Sequence, residues 1–111
     1  MGRKLQSRTG PRLNTKNFIK TPLSKAVISI DYSAKLKLLE IEFRDNQQIY
    51  HYKNVKKDVY EKLLMLKKLR ESRSSFSEEK VEEKYSIGKF VNQKVKTPHD
   101  YYELQVLEEM E

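Results

Sequence analysis

The chain has 111 residues, of which 37% are hydrophobic and 35% charged, and its formal net charge is +7. This length predicts one domain with a modest core, and the absence of cysteine with only two histidines excludes disulfides, thiolate zinc sites and a histidine-rich metal site. No apolar run approaches the roughly 20 residues that span a bilayer, and the start lacks a secretory apolar stretch, so we expect a cytoplasmic protein. We also expect that it has no cofactor.

All of the formal excess charge lies at the start of the chain. Residues 1–25 hold seven basic residues and no acidic one, whereas the other 86 residues hold 16 of each. We therefore predict a flexible basic arm over residues 1–23, which would attract polyanions by counterion release. A solubilising tail, or a mitochondrial transit peptide interrupted at Gly10-Pro11, are the alternatives. The candidate nucleic-acid contacts in this arm are Arg3, Lys4, Arg8, Arg12, Lys16 and Lys20.

The pattern of a folded domain begins near residue 24. Residues 26–32 alternate as a strand does, which places Ile28, Ile30 and Tyr32 on one face and Val27 on the other. A short connection leads to a second strand, in which every other residue is apolar.

The second strand has one apolar and one acidic face. Leu39, Ile41 and Phe43 are predicted to point inward, and Glu40 and Glu42 are predicted to form the solvated side. A polar stretch with the features of a tight turn then leads to the third strand.

The third strand carries two tyrosines. Tyr50 and Tyr52 share one face, and His51 lies opposite them with Lys53. The period then changes to that of an amphipathic helix starting at about Lys57. Three strands at such short spacing can only be joined as an antiparallel meander. The predicted fold class is therefore α+β, a small three-stranded antiparallel meander packed by an amphipathic helix, with one or two further short helices.

The rest of the chain is more polar. Residues 70–85 are rich in serine and charged residues and are interpreted as a polar insertion with solvated faces. Residues 86–96 predict one or two short amphipathic turns, which Thr97-Pro98 ends. The acidic C-terminal segment, residues 101–111, fits a short edge strand or a loose helix equally well.

The order and spacing of these pieces resemble the KTSC domain, a small domain named after the C-terminus of some lysyl-tRNA synthetases. The resemblance covers about residues 24–100, and departs from the family in Lys56-Lys57, where a proline is common, and in the insertion near 70–85. The residues that carry it are Val27, Ile30, Tyr32, Leu39, Ile41, Phe43, Tyr50, Tyr52, Val59, Tyr60, Glu61, Leu63, Leu64, Ser86, Gly88, Phe90, Asn92, Val95 and Lys96.

The synthetase context of that family implies RNA binding. Aromatic faces stack on unpaired bases, and flanking lysines neutralise phosphates. The alternative for Tyr50 and Tyr52 is a structural role in the core, with their hydroxyls at its rim. The candidate surface in the folded part consists of Tyr50, His51, Tyr52, Lys53, Asn92, Lys94 and Lys96.

No arrangement in the sequence favours an enzyme, because the chain has no cysteine, no acid pair flanking a histidine and no glycine-rich phosphate loop. We therefore expect a non-enzymatic accessory module that binds RNA or single-stranded DNA and has a basic arm. The alternative is a protein-interaction adaptor that uses the sheet edge or the charged insertion at 70–85. Residues 26–111 are charge-neutral as a whole, which favours the arm over the domain as the phosphate contact.

Overall fold

The structure, a computed structural model, describes residues 2–20, 26–44, 48–72 and 87–106, except for the side chain of Arg70. Six strands form one mixed sheet in the order β1-β6-β5-β4-β3-β2, in which only β1 and β6 are parallel. The strands are β1 (Arg8–Gly10), β2 (Ile19–Lys20), β3 (Val27–Ser33), β4 (Leu38–Phe43), β5 (Ile49–Tyr52) and β6 (Tyr101–Val106). The helices are α1 (Lys57–Ser72) and α2 (Ile87–Phe90), and α2 continues as a π-helical segment (Val91–Lys96).

The prediction of a three-stranded meander was wrong, although the architecture is α+β. Strands β3, β4 and β5 pair in sequence order, but three further strands extend the sheet. Two of them, β1 and β2, lie within the segment that was predicted to be a flexible arm. The third, β6, belongs to the acidic C-terminal segment and lies between β1 and β5 rather than at an edge. Strands β1 and β2 have three and two residues and little apolar alternation, so the sequence alone does not mark them as strands.

One face of the sheet carries the apolar core and is covered by the helices. Its strand residues include Ile30, Tyr32, Leu39, Ile41 and Tyr52, all nearly inaccessible to solvent. Val27 joins them, contrary to the predicted alternation, because the register of β3 against β4 shifts between Val27 and Ser29. Such a bulge adds one residue to the strand and reverses the face of everything beyond it.

Helix α1 begins at Lys57, as predicted, and closes the core over β3. The rings of Tyr32 and Tyr60 stack with 4.7 Å between centroids, and the Tyr32 hydroxyl donates a hydrogen bond to the carbonyl of Val55 at 2.7 Å. Asn54 has a φ of 60° and makes the turn between β5 and α1. Asparagine tolerates this left-handed conformation better than most residues.

The opposite face of the sheet is polar, and the stretch between β1 and β2, residues 11–18, crosses it from one edge of the sheet to the other. We call residues 2–20 as a whole the N-terminal segment. At the centre of the polar face is Glu40, which is 0% exposed, so its predicted place on a solvated face was wrong. Its Oε1 accepts hydrogen bonds from Nε and Nη2 of Arg12 at 3.0 and 2.9 Å. Its Oε2 accepts one from the backbone N–H of Leu13 at 2.9 Å and lies 2.8 Å from Nε2 of His51. Four donors therefore surround this buried carboxylate.

His51 connects Glu40 to β6. The Glu40 carboxylate accepts a hydrogen bond from Nε2 of His51, so that nitrogen carries the proton. In the neutral imidazole, Nδ1 then accepts a hydrogen bond from the Tyr102 hydroxyl at 3.0 Å. His51 is 3% exposed and therefore lies in the interior of the protein rather than on its surface. The Arg12 guanidinium also donates to Ser29, at 3.0 Å. One polar network therefore joins the N-terminal segment to β3, β4, β5 and β6.

Further contacts fix the rest of the N-terminal segment. Thr15 donates through both its backbone N–H and its hydroxyl to the buried carboxylate of Asp31. The Arg8 guanidinium lies over the ring of Tyr102, with 4.6 Å to the centroid, a cation–π arrangement. Leu5 packs against a small apolar cluster on the same face. The segment is therefore attached at several points along its length.

Electrostatics explains why Glu40 is ionised despite its burial. Burial raises the pKa of its carboxyl group, but the hydrogen bonds from His51 and Leu13 and the positive charge of Arg12 outweigh it. The net effect lowers the pKa of Glu40 below its ordinary value. Folding and ionisation of this group therefore favour each other.

Gly2 occupies a place that only glycine fits. Its backbone N–H donates to the carbonyl of Thr97, just after the π-helical segment. A Cβ at this position would collide with the carbonyl oxygens of Lys96, Thr97 and His99, which are backbone atoms and cannot rotate away. The start of the N-terminal segment is therefore docked by close backbone approach.

We predict that Gly2→Ala detaches the first residues of the N-terminal segment. The collision should cost about 1–3 kcal/mol of unfolding free energy, measured by urea denaturation. It should also speed hydrogen exchange at the Tyr101 amide, which donates to the carbonyl of Arg3 at 3.0 Å.

Gly10→Ala is the matched control, because no atom lies within 4 Å of a Cβ built at Gly10. It should leave both the stability and the exchange of Tyr101 near the wild-type values. Equal effects of the two substitutions would contradict the close docking of Gly2.

We also predict a loss of stability in acid that depends on Glu40. Since the folded-state pKa of Glu40 is lowered, its contribution is fully present above the unfolded-state pKa of about 4.3 and is lost as the pH falls through the lower folded-state value. Glu40→Gln should cost about 2–4 kcal/mol at pH 7 and clearly less at pH 3, measured by urea unfolding at each pH. A constant difference between the two proteins across this range would contradict the assignment. Glu61→Gln, at an exposed helix position, is the control.

Candidate nucleic-acid interface

The sheet topology brings four separate parts of the chain to one end. In an antiparallel sheet, β3 ends where β4 begins, and β5 ends where β6 begins. The loop between β3 and β4, the loop between β5 and α1, and the link from the π-helical segment to β6 therefore meet at this end. Residues 2–4 join them, because Lys4 pairs with Tyr101 at the start of β6.

Backbone hydrogen bonds hold these parts together. The N–H of Val55 donates to the carbonyl of Lys37 at 2.9 Å, and the N–H of Lys53 donates to the carbonyl of Asp100 at 2.8 Å. Arg3 donates its N–H to the Asp100 carboxylate at 2.9 Å. Lys37 has a φ of 52°, so the loop between β3 and β4 closes through a left-handed residue. The arrangement is fixed by main-chain contacts rather than by the lysine side chains.

Each of these parts carries basic residues, and we call this surface the basic end. Its members are Arg3, Lys35, Lys37, Lys53, Lys56, Lys57 and Lys96. All are exposed except Lys53, which is half-buried. Within the described residues, Lys57 has a carboxylate partner, Glu61, at 4.0 Å, and the other six form no ion pair.

Two carboxylates at the basic end are already engaged by the backbone. Asp100 accepts from Arg3, as described above, and Asp58 accepts from the N–H of Val59 at 3.0 Å in the first turn of α1. Both carboxylates keep their negative charge, but together with Glu61 they number three against seven basic residues, so the basic end still presents a net positive surface to an anionic ligand.

An aromatic cluster borders the basic end on the helix-covered side of the sheet. Tyr101 lies 5.2 Å from Tyr52 and 5.6 Å from Tyr50, measured between ring centroids, and Phe43 lies 5.6 Å from Tyr50. Tyr52 is 1% exposed, whereas the other three rings are half-buried. Lys4 Nζ lies 5.8 Å from the centroid of Tyr50. Aromatic and basic groups are therefore neighbours here.

Burial raises the pKa of two phenols in this cluster. Burial first, and then the nearby Tyr101 and Tyr50, raise the pKa of Tyr52 well above its usual range. Burial, Glu103 and Tyr101 raise the pKa of Tyr50 as well. A phenol with its ordinary pKa of about 10 is already neutral at pH 7, so these shifts extend the pH range over which Tyr50 and Tyr52 stay uncharged.

The structure brings together only some of the candidate residues from the sequence. Arg3, Lys53 and Lys96 belong to the basic end, and Lys4 lies beside it over Tyr50. Arg8 and Arg12 contact the polar face, on Tyr102 and Glu40. Those placed elsewhere and exposed are Lys16, Lys20, Asn92 and Lys94.

Burial separates the three residues of the Tyr50-His51-Tyr52 motif. Tyr52 is a core residue, which is the structural alternative considered for it, and Tyr50 is half-buried at the rim of the same face. His51 is buried on the opposite face with Glu40 and Tyr102. The motif thus contributes at most one accessible ring to the surface.

Sequence reasoning missed four members of this common surface: Lys35, Lys37, Lys56 and Lys57. They lie in two loops and at the first residue of α1, some twenty residues apart in sequence, and no local pattern connects them. The turn residues flanking the strands mark the loops, but only the sheet topology shows that both loops lie at the same end. Tyr101 was missed because β6 was not assigned.

Other kinds of site receive no support from the described residues. Within the ranges given above, no group of three or more histidine and carboxylate side chains is placed to hold a metal ion. None of the described helices is long and apolar enough to cross a membrane.

Comparison with known proteins gives one family. A comparison with curated proteins finds no match. The family model of the KTSC domain matches residues 23–85, which is more than half of the chain and includes β3, β4, β5 and α1. The segment 86–96, whose resemblance to the end of that domain was also noted, lies outside the match. On this evidence, the chain belongs to the KTSC domain family.

Proposed function

We propose that this protein is a non-enzymatic accessory module that binds RNA or single-stranded DNA through the basic end. The observation that carries the proposal is the convergence of seven basic side chains from four separate parts of the chain, six of them without an ion-pair partner in the described structure. Lysine and arginine that neutralise phosphates release counterions, which supplies affinity without sequence specificity.

The distribution of charge supports the same proposal. Of the acidic residues in the described ranges, Asp31 and Glu40 are fully buried on the polar face. These two carboxylates are therefore not available at the surface to offset the charge of the exposed lysines.

The N-terminal segment contributes less free charge than its composition implies. Arg12 is engaged by Glu40 and Glu42, and Arg8 by the ring of Tyr102. Arg3 is the member of the segment that belongs to the basic end. We therefore assign the main phosphate contact to the folded surface rather than to a flexible arm.

The Glu40–His51–Tyr102 chain contains groups that occur in catalytic sites, and it bears on the proposal that the protein is not an enzyme. Both histidine nitrogens and both carboxylate oxygens are already hydrogen-bonded within the protein, and all three residues are buried. A general base needs access to a substrate proton. A structural role, holding the N-terminal segment, accounts for every contact of this chain.

The protein-interaction adaptor stays an untested alternative. Its predicted docking elements were the sheet edge and the insertion at 70–85. The edge strands, β1 and β2, have three and two residues, and the described part of the insertion ends at residue 72. No contact in the described structure favours it over the basic end.

We predict that binding to a short single-stranded RNA or DNA weakens steeply with salt. The logarithm of the binding constant should fall linearly with the logarithm of salt concentration, by about 0.7 per neutralised phosphate. Replacing both Lys35 and Lys56 by Gln should reduce this slope by about 1.4, measured by fluorescence anisotropy across a salt series. Both side chains are exposed, and neither residue has the left-handed backbone of Lys37.

The matched control replaces Lys20 and Lys68 by Gln, the same change in charge at exposed sites away from the basic end. Lys20 pairs with Ser29, near the other end of β3, and Lys68 lies about 16 Å along α1 from Lys57. This variant should keep the wild-type slope. Equal losses in both double variants would contradict a localised site, and absence of binding at about 50 mM salt would contradict the function itself.

A further inference from the structure

The aromatic cluster adds a second kind of contact to the basic end. Tyr101 is its member nearest to that end, since its backbone N–H donates to the carbonyl of Arg3 and its carbonyl accepts from Leu5. The residue before it, Asp100, is bonded to Lys53. Basic residues therefore flank Tyr101 on both sides.

We propose that Tyr101 is the stacking residue for an unpaired base, so that the ligand is single-stranded nucleic acid rather than a duplex. This inference rests on the proposed function. Base faces are available for stacking only where a strand is unpaired, and stacking on an aromatic ring tolerates any base. A duplex would offer the basic end its phosphates but nothing to Tyr101.

The packing around Tyr101 favours this role over that of its neighbours. Tyr52 is buried, and the ring of Tyr50 is covered by the Lys4 ammonium group. Tyr101 is half-buried, and no cation lies over its ring among the described residues. The Tyr101 ring is held by an edge-to-face contact with Tyr50, at an interplanar angle of 78°, and by a tilted contact with Tyr52, with 5.2 Å between ring centroids. A fixed ring loses little conformational entropy when a base stacks on it.

The dimensions of the basic end suit a short strand. From residues 2–4, where Lys4 pairs with Tyr101, the basic end crosses the strands β6, β5, β4 and β3. Four strand spacings of about 4.8 Å give a length of about 19 Å. This is enough for roughly four to six nucleotides, the lower range of site sizes for a small single-strand-binding domain. Glu103, on the same face further along β6, would repel phosphates from the middle of the sheet.

The experiment compares two oligonucleotides of about ten nucleotides, oligothymidylate and an abasic strand of the same length and charge, by anisotropy at one salt concentration. The wild-type protein should bind the base-bearing strand roughly 5- to 150-fold more tightly, the range that one stacked base gives. Tyr101→Leu should remove most of this ratio while leaving the salt slope unchanged. Tyr101→Phe, which keeps the ring, should retain it.

The outcomes separate the two proposals. Equal binding of both strands by the wild-type protein would overturn the stacking site and leave the basic end as a phosphate contact. A preference for the base-bearing strand that Tyr101→Leu does not reduce, in a variant whose unfolding midpoint matches that of the wild type, would also overturn it. If Tyr101→Leu is unstable, Tyr101→Val, which also lacks the ring and favours a strand, takes its place in the same comparison. If neither strand binds at about 50 mM salt, both proposals are overturned.

Discussion

The carboxylate of Glu40 is the constraint on which the rest of the structure depends. It lies in the central part of the sheet, on β4, with no exposure to solvent, and a buried ion without partners would cost several kcal/mol. Arg12, His51 and the Leu13 N–H compensate it, and two of these three come from the N-terminal segment. The sheet therefore needs the segment as a second layer, as much as it needs α1 on its other side.

The two faces of the sheet are covered in different ways, and this difference affects the charge of the protein surface. The apolar face is covered by helices through the burial of side chains such as Leu39 and Leu63. The polar face is covered by a basic segment through ion pairs and hydrogen bonds, which uses Arg12 and keeps Asp31 and Glu40 away from solvent. Because Asp31 and Glu40 are paired inside the protein, they do not compensate the positive charge of the lysines in the loops. The excess positive charge at the basic end is thus a consequence of how the fold satisfies its own buried carboxylates.

The sequence predicted local features well and long-range ones poorly. Local features, namely the spacing of apolar residues and the turn residues, indicate the strands that contain Leu39 and Tyr52 and the start of the helix at Lys57. The bulge near Val27 could not be predicted, because the alternation itself looks regular and only the pairing with β4 shows the shift. Glu40 was interpreted as solvated because an acidic residue at strand spacing usually is. Its burial depends on Arg12, 28 residues away.

The same distinction applies to the candidate site. Lysine content indicated a polyanion ligand, but the grouping of Lys35, Lys53 and Lys96 depends on which strand ends meet. The tyrosine pair illustrates the opposite case: its alternation was evident, yet burial leaves Tyr52 in the core and makes Tyr101, from an unassigned strand, the accessible ring. Composition indicated a polyanion as the ligand, and the sheet topology determined which residues lie close enough to act together.

A double-mutant cycle on Arg12 and Glu40 tests most directly whether this pair holds the N-terminal segment on the sheet. The unfolding free energies of the wild type, Arg12→Met, Glu40→Gln and the double variant would be measured in urea at pH 7, with the exposed pair Lys57 and Glu61 as a control cycle. A coupling energy of about 2–4 kcal/mol is expected for Arg12 and Glu40, with loss of exchange protection at the Thr15 amide in both single variants and no measurable coupling in the control. Additive effects of Arg12→Met and Glu40→Gln, with the Thr15 amide still protected, would contradict it.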